Sequence, residues 1–263
     1  MFPQRPKHNA PVRIAAVVLL AVLIVLAWMA PLDGRAKEHA EAGLKRALAT
    51  FATARVANAV ISVIQEASIS AGPVFVGATV KPGEVLDPVN DLIEQLSTLM
   101  LVASVSLGMQ LLLIHVGGHF AVNAAVTLAL LAWAALLLAS RRNPVWFTRV
   151  VVVLLFVRFA APLAALGSEG VYQLTLDPVY QQSQKALDTS SRQLAASASA
   201  EDVRGWILDA REKLRNARER LEGAVRHIVE LMAIFLVQTV VLPILFAWVA
   251  YRLFFASFRA VHR

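Results

Sequence analysis

Five almost uncharged apolar runs divide this chain, at residues 12–30, 98–116, 118–140, 150–167 and 229–251. An α-helix needs about 20 apolar residues to cross a bilayer, and each run approaches that length. The alternation of a membrane β-barrel is absent. The expected fold is therefore an all-α integral membrane protein, a bundle of four to five hydrophobic helices. Composition agrees: 58% of residues are hydrophobic and 16% are charged, against about 25% charged in soluble domains.

Basic residues border these runs in three acid-free groups: Arg5, Lys7 and Arg13; Arg141, Arg142 and Arg149; Arg252, Arg259 and Arg263. Together they hold nine positive charges, more than the net +7 of the whole chain. Cationic flanks mark cytoplasmic loops and tails, so residues 1–30 read as a basic cytoplasmic tail with the first transmembrane helix. Residues 229–263 read as the last transmembrane helix with a basic cytoplasmic tail. Because the basic residues border apolar runs and do not gather on one polar face, nucleic acid is not an expected partner. The first run is longer than a signal-peptide core and ends without a clean cleavage site, which predicts a retained anchor. Abundant alanine, leucine and arginine suggest a bacterial inner membrane.

Two polar regions, 31–97 and 168–228, have no cationic bias: six basic against eight acidic residues, and nine of each. Both are expected to be helical and outside the cytoplasm. Five plain crossings would put them on opposite sides, whereas the charge pattern requires an even number. Residues 98–167 are thus read as central membrane helices with a re-entrant or half-spanning segment. The run His115-Val116-Gly117-Gly118-His119 supplies the turn, since glycine tolerates backbone geometry that other residues resist.

Heptad stripes link the polar regions. Ile207, Leu214, Leu221 and Ile228 alternate with Ala210, Ala217, Ala224 and Leu231, and a second seam runs through Ala40, Leu44, Ala47, Phe51, Ala54, Asn58 and Ile61. Such spacing places each set on one face of a helix. Alternating alanine permits close approach, so the two helices are expected to pair as an antiparallel projection outside the bilayer, within or between chains. Asn58 either fixes register from inside the seam or lies at its solvated edge. Pro31 and Gly34 are expected to kink or interrupt the first of these helices near the membrane. An echo, Leu86-Asp87-Pro88-Val89 and Leu176-Asp177-Pro178-Val179, reads as two helix starts, with Asp capping and Pro in the first turn. Residues 71–85 are glycine- and proline-rich and read as a loop, and 189–200 as a polar connector.

Arg158 is the costly residue. A charge at the centre of a membrane helix costs about 2.5–3.5 kcal/mol on insertion scales. It therefore needs a water-filled pathway or a partner, and the candidates are Glu230 and the acidic surface group Asp87, Asp91 and Glu94. Gln110, Asn123 and Gln238 are further polar groups in apolar segments, suited to joining helices. His115 and His119 are candidates for capping the turn or sensing protons. No metal site and no cofactor are expected, and the chain has no cysteine. HExxH, P-loop, GxSxG and dinucleotide glycine patterns are all missing, so an enzyme is not expected. Two function classes follow. One is an oligomeric channel-like protein conducting ions or small solutes, with Arg158 and the intramembrane amides lining the path. The other is a non-catalytic envelope scaffold or regulatory subunit. The expected partners are the lipid bilayer, further copies of the chain, and another membrane or periplasmic protein.

Overall fold

A computed structural model describes residues 10–70, 87–139, 145–197 and 210–262. These are helical almost throughout, with no strand among them. The helices are α1 (Ala10–Ala27), α2 (Ala30–Ser70), α3 (Asp87–Gly117), α4 (Phe120–Leu138), α5 (Val145–Val171), α6 (Asp177–Ser197), α7 (Ala210–Leu236) and α8 (Leu242–His262). A π-turn, Tyr172–Leu176, joins α5 to α6, and another, Val237–Val241, joins α7 to α8.

Among the described residues, three continuous helical stretches are long and apolar enough to cross a membrane: Asp87–Gly117, Trp146–Gln193 and Gly223–Arg252. The bent pair Val17–Ala27 and Leu32–Val63, at 55°, makes a fourth if counted as one span. Phe120–Leu136 is a shorter apolar helix. Residues 71–85, residues 198–200, Ile207, and the basic residues Arg5, Lys7, Arg141 and Arg142 lie outside the described residues; residues 189–197 of the expected connector are instead helical and complete α6.

The chain divides into two compact units. The first comprises Met1–Ala42, Gly108–Gly170 and Val241–Arg263; the second comprises Gly43–Leu107 and Val171–Val240.

In the first unit α1 packs along α4. Leu20, Ala27, Val126, Leu130, Trp133, Val151, Leu155 and Phe159 form their shared core with α5. A smaller cluster unites Ala36 and Ala40 of α2 with Ile114 and Ala165. Helix α5 also meets α8, where the ring of Phe246 lies so close over Gly167 that any side chain there would overlap it.

The second unit is a bundle of α2, α3, α6 and α7 around one core. That core includes Ala47, Ala54, Ala57 and Ile61 of α2, Ile93, Leu96 and Met100 of α3, Tyr180 and Leu187 of α6, and Ile228, Leu231 and Phe235 of α7. The two seams therefore contribute to a common core, but the register on α2 differs from expectation. Ala40, Ala47, Ala54 and Ile61 are buried, whereas Leu44, Phe51 and Asn58 are only half-buried. Gly43, Thr50 and Ala57 interleave with the alanines instead. The small residues face inward because α3 and α7 approach closely: at Gly43 a side chain would meet Leu107 and Gln238 at 3.3 and 3.4 Å. Asn58 thus flanks the seam. On α7, Ile228 and Leu231 are buried and Ala224 is half-buried. Ala210, Leu214, Ala217 and Leu221 are helical positions whose side chains are not described.

The two Asp-Pro signals part company. Asp87 begins α3 as expected. Asp177 does not start a separate helix: its N–H bonds to the carbonyl of Tyr172, five residues back, and the chain continues helical from α5 into α6. Pro178 follows at once, and Pro243 follows the other π-turn in the same way. A proline lacks the N–H that closes an α-turn. The local start signal is overridden because a widened turn absorbs that missing donor without breaking the helix.

Candidate functional site: a buried ion pair at two helix breaks

Two helices of the first unit are interrupted. Between α1 and α2 the break falls at Trp28 and Met29, whose N–H groups bond back to Val25 and Leu26 in short turns. Between α3 and α4 it falls at Gly118 and His119. Helix α5 passes both, and Arg158 is on it.

Pro31, in the first turn of α2, has no N–H to offer the carbonyl of Ala27 four residues earlier. Arg158 replaces it. Its Nε and Nη2 donate to the Ala27 carbonyl at 3.2 and 2.7 Å. Its Nη1 and Nη2 donate to Asp33 Oδ1 and Oδ2 at 2.8 and 2.7 Å, a bidentate fork. The guanidinium is 1% exposed and Asp33 about a quarter exposed. Four of the five N–H donors of an arginine are thereby engaged. Asp33 also stands in the first turn of α2, where the helix dipole favours negative charge.

The glycine turn closes against this group. A Cβ on Gly117 would stand 3.2 Å from the carbonyl oxygen of Val157 and 3.4 Å from that of Arg158. One on Gly118 would stand 3.2 Å from Asp33 Oδ2. Asn123 donates from Nδ2 to the Gly118 carbonyl at 3.2 Å. His119 Nδ1 accepts the Ala121 N–H at 3.2 Å, capping α4. Trp28 bridges the breaks: its Nε1 donates to Thr127 Oγ1 at 2.9 Å, and its ring meets Phe120 edge-on at 5.7 Å.

Arg158, Asn123, Gly117, Gly118 and His119 therefore converge, as residues costly or unusual in apolar helices. His115 is exposed in the last turn of α3, and Gln110 is half-buried on the same helix. The pairing expected for Arg158 is corrected: its partner is Asp33. Glu230, Asp87, Asp91 and Glu94 belong to the second unit. Asp33 was one carboxylate among eight in a polar region, and only its place two residues after Pro31 and beside a helix break distinguishes it.

Glu230 has its own setting. In the second unit α6 packs along α7, and Ser183 Oγ donates to Glu230 Oε2 at 2.7 Å. His227 Nδ1 lies 3.1 Å from the same oxygen, and Arg226 Nε donates to Oε1 at 2.9 Å. Ser183 is fully buried, so this cluster clasps two helices and presents no accessible nucleophile. Nearby on the inward side, Thr50 donates to Gln184 Oε1 at 2.8 Å, and Gln184 Nε2 donates to Thr53 Oγ1 at 3.2 Å. Arg46 lies over the Tyr172 ring at 3.8 Å, and the Tyr172 hydroxyl donates to Asp177 at 2.9 Å. Gln238 is buried in the second π-turn, near Gly43 of α2. Asp87, Asp91 and Glu94 are exposed on α3.

Comparison of the chain with protein-family models, curated proteins and solved structures finds no match.

Proposed function

We propose that this chain is a multi-pass inner-membrane protein with both termini cytoplasmic. In this reading the ends of α2, α3, α6 and α7 that lie beyond the apolar runs project outside the bilayer. The chain serves as a non-catalytic scaffold or regulatory subunit for another membrane or periplasmic protein. Four spans, counting the bent α1–α2 pair as one, with the short α4 as the additional segment, give the even crossing number that the basic clusters require.

The observation that carries the reading is the state of Arg158. A conducting pathway was the attractive expectation because it gave an isolated intramembrane arginine something to do. Its donors are instead committed to Asp33 and the Ala27 carbonyl at 1% exposure. The cost of its charge is thus offset by completing a broken helix, which a scaffold needs as much as a channel does.

Purified protein in liposomes tests this. The expected result is no ion or small-solute flux above lipid controls, with Arg158→Ala lowering thermal stability. In intact membranes, photo-crosslinking from the bundle should recover one stoichiometric envelope protein. Flux that Arg158→Ala abolishes while stability is unchanged would overturn the proposal in favour of a channel.

A further inference from the structure

Helix α2 has two apolar faces. One is the buried seam already described. Leu48, Ala52, Val56, Ala59 and Val63 form the other, turned about 180° from the first at 100° per residue. All five are exposed, Leu48 by 48%, Val56 by 55% and Val63 by 53%. Lys45 and Arg55 are exposed on the same side, and no acidic residue occurs from 42 to 65. Helix α3 is the electrostatic converse. Its face away from the core exposes Asp91 and Glu94, and there is no basic residue from 87 to 114. About two turns further along, that face becomes apolar with Leu101, Val102 and Val105, each more than half exposed. Among the described residues Arg55 forms no ion pair, and its guanidinium rests only over Phe51.

Height decides what these faces fit. Gly43 of α2 abuts Leu107 of the antiparallel α3. Twelve residues further along α2 and twelve back along α3, Arg55 is level with Gln95, between Glu94 and the turn carrying Asp91. In the same register Leu48 is level with Leu101 and Val102. Copies related by rotation about an axis parallel to the helices keep every residue at its own height. The outer face of α2 in one copy therefore meets, on the outer face of α3 in the next, a carboxylate opposite Arg55 and apolar side chains opposite Leu48. We propose that a second copy of this chain docks its α3 outer face, through Asp91, Glu94 and Leu101, on the exposed α2 face of the first. Such a contact joins two different surfaces, so it propagates from copy to copy, and rotation about the shared axis closes it as a ring when the angle divides a full turn. The direction of the axis rests on the membrane reading above; the complementary faces do not.

The chain has no cysteine, so thiol chemistry reads the contact directly. Arg55→Cys and Glu94→Cys are made in separate full-length chains and co-expressed, with a short bifunctional thiol reagent added to native membranes. The expected product is a mixed dimer from the pair and none from either variant alone. Leu48→Cys with Leu101→Cys should behave likewise. Charge reversal gives an independent reading by native mass analysis in lipid. Arg55→Glu and Glu94→Arg should each raise the monomer fraction about tenfold, and the double reversal should restore assembly. Exposed positions leave folding intact, which thermal unfolding of each variant confirms. Self-crosslinking of Val56→Cys without the mixed products, or a chain that is monomeric in lipid, overturns the proposal. Release of the chain from membranes by alkaline carbonate would instead count against the membrane reading, a separate result from the crosslinks.

Discussion

Arg158 donates two hydrogen bonds to the carbonyl of Ala27, in place of the one that an N–H at position 31 would have made, and it does so with the guanidinium that also grips Asp33. One side chain on an unbroken helix therefore both caps an interrupted helix and neutralises its first turn. Removing either charge leaves the other stranded. Asp33→Ala or Arg158→Met should each destabilise the protein by about 3–5 kcal/mol. The double variant Asp33→Leu with Arg158→Leu should recover much of that loss, because no uncompensated charge remains. Thermal unfolding in one detergent compares all three, and equal loss in the double variant would count against the pairing.

The debt of the Ala27 carbonyl to Pro31 predicts a coupling. Pro31→Ala restores a donor four residues on, so in that background Arg158→Met should cost less than in the parent. The coupling energy expected from a double-mutant cycle is about 0.5–3 kcal/mol. Spin labels on α1 and α2 should report a reduction of the 55° bend. Strict additivity would remove the proposed link.

Gly117 approaches the backbone of α5 more closely than a side chain allows, with 3.2 Å from its would-be Cβ to the Val157 carbonyl. Gly117→Val should cost about 1–3 kcal/mol by overpacking. Gly34, which has nothing within 4 Å of that position, should accept alanine without loss. Unfolding midpoints of the two variants make the comparison.

The α6–α7 clasp should divide unevenly among its members. Glu230→Ala deprives the fully buried Ser183 of its closest acceptor and leaves it only His227 Nδ1 at 3.2 Å, which should cost about 1–3 kcal/mol. Arg226 is 79% exposed, so Arg226→Ala should cost less than about 1 kcal/mol. Chemical unfolding of the two variants tests the ranking.

Much of this architecture is readable from residue spacing, because helical periodicity and apolar length are local properties. The buried seam of α2 lies half a step round the helix from the expected one. Heptad spacing alone admits Leu44 and Phe51 as readily as Gly43 and Thr50, whereas close helix approach selects the small residues. The second Asp-Pro pair carries the same local signal as the first, and only a continuous helix with a π-turn separates them. Arg158 is conspicuous from its surroundings. Its partner is not, since 125 positions separate the two and no periodicity spans that gap.

That separation has a bearing on biosynthesis. When the ribosome has finished the first two helices, the Ala27 carbonyl and the Asp33 carboxylate both still lack the group that will satisfy them. They wait through the making of α3 and α4 until α5 emerges. The first two helices are made early, yet the bend between them acquires a final form only when the middle of the chain arrives to complete it.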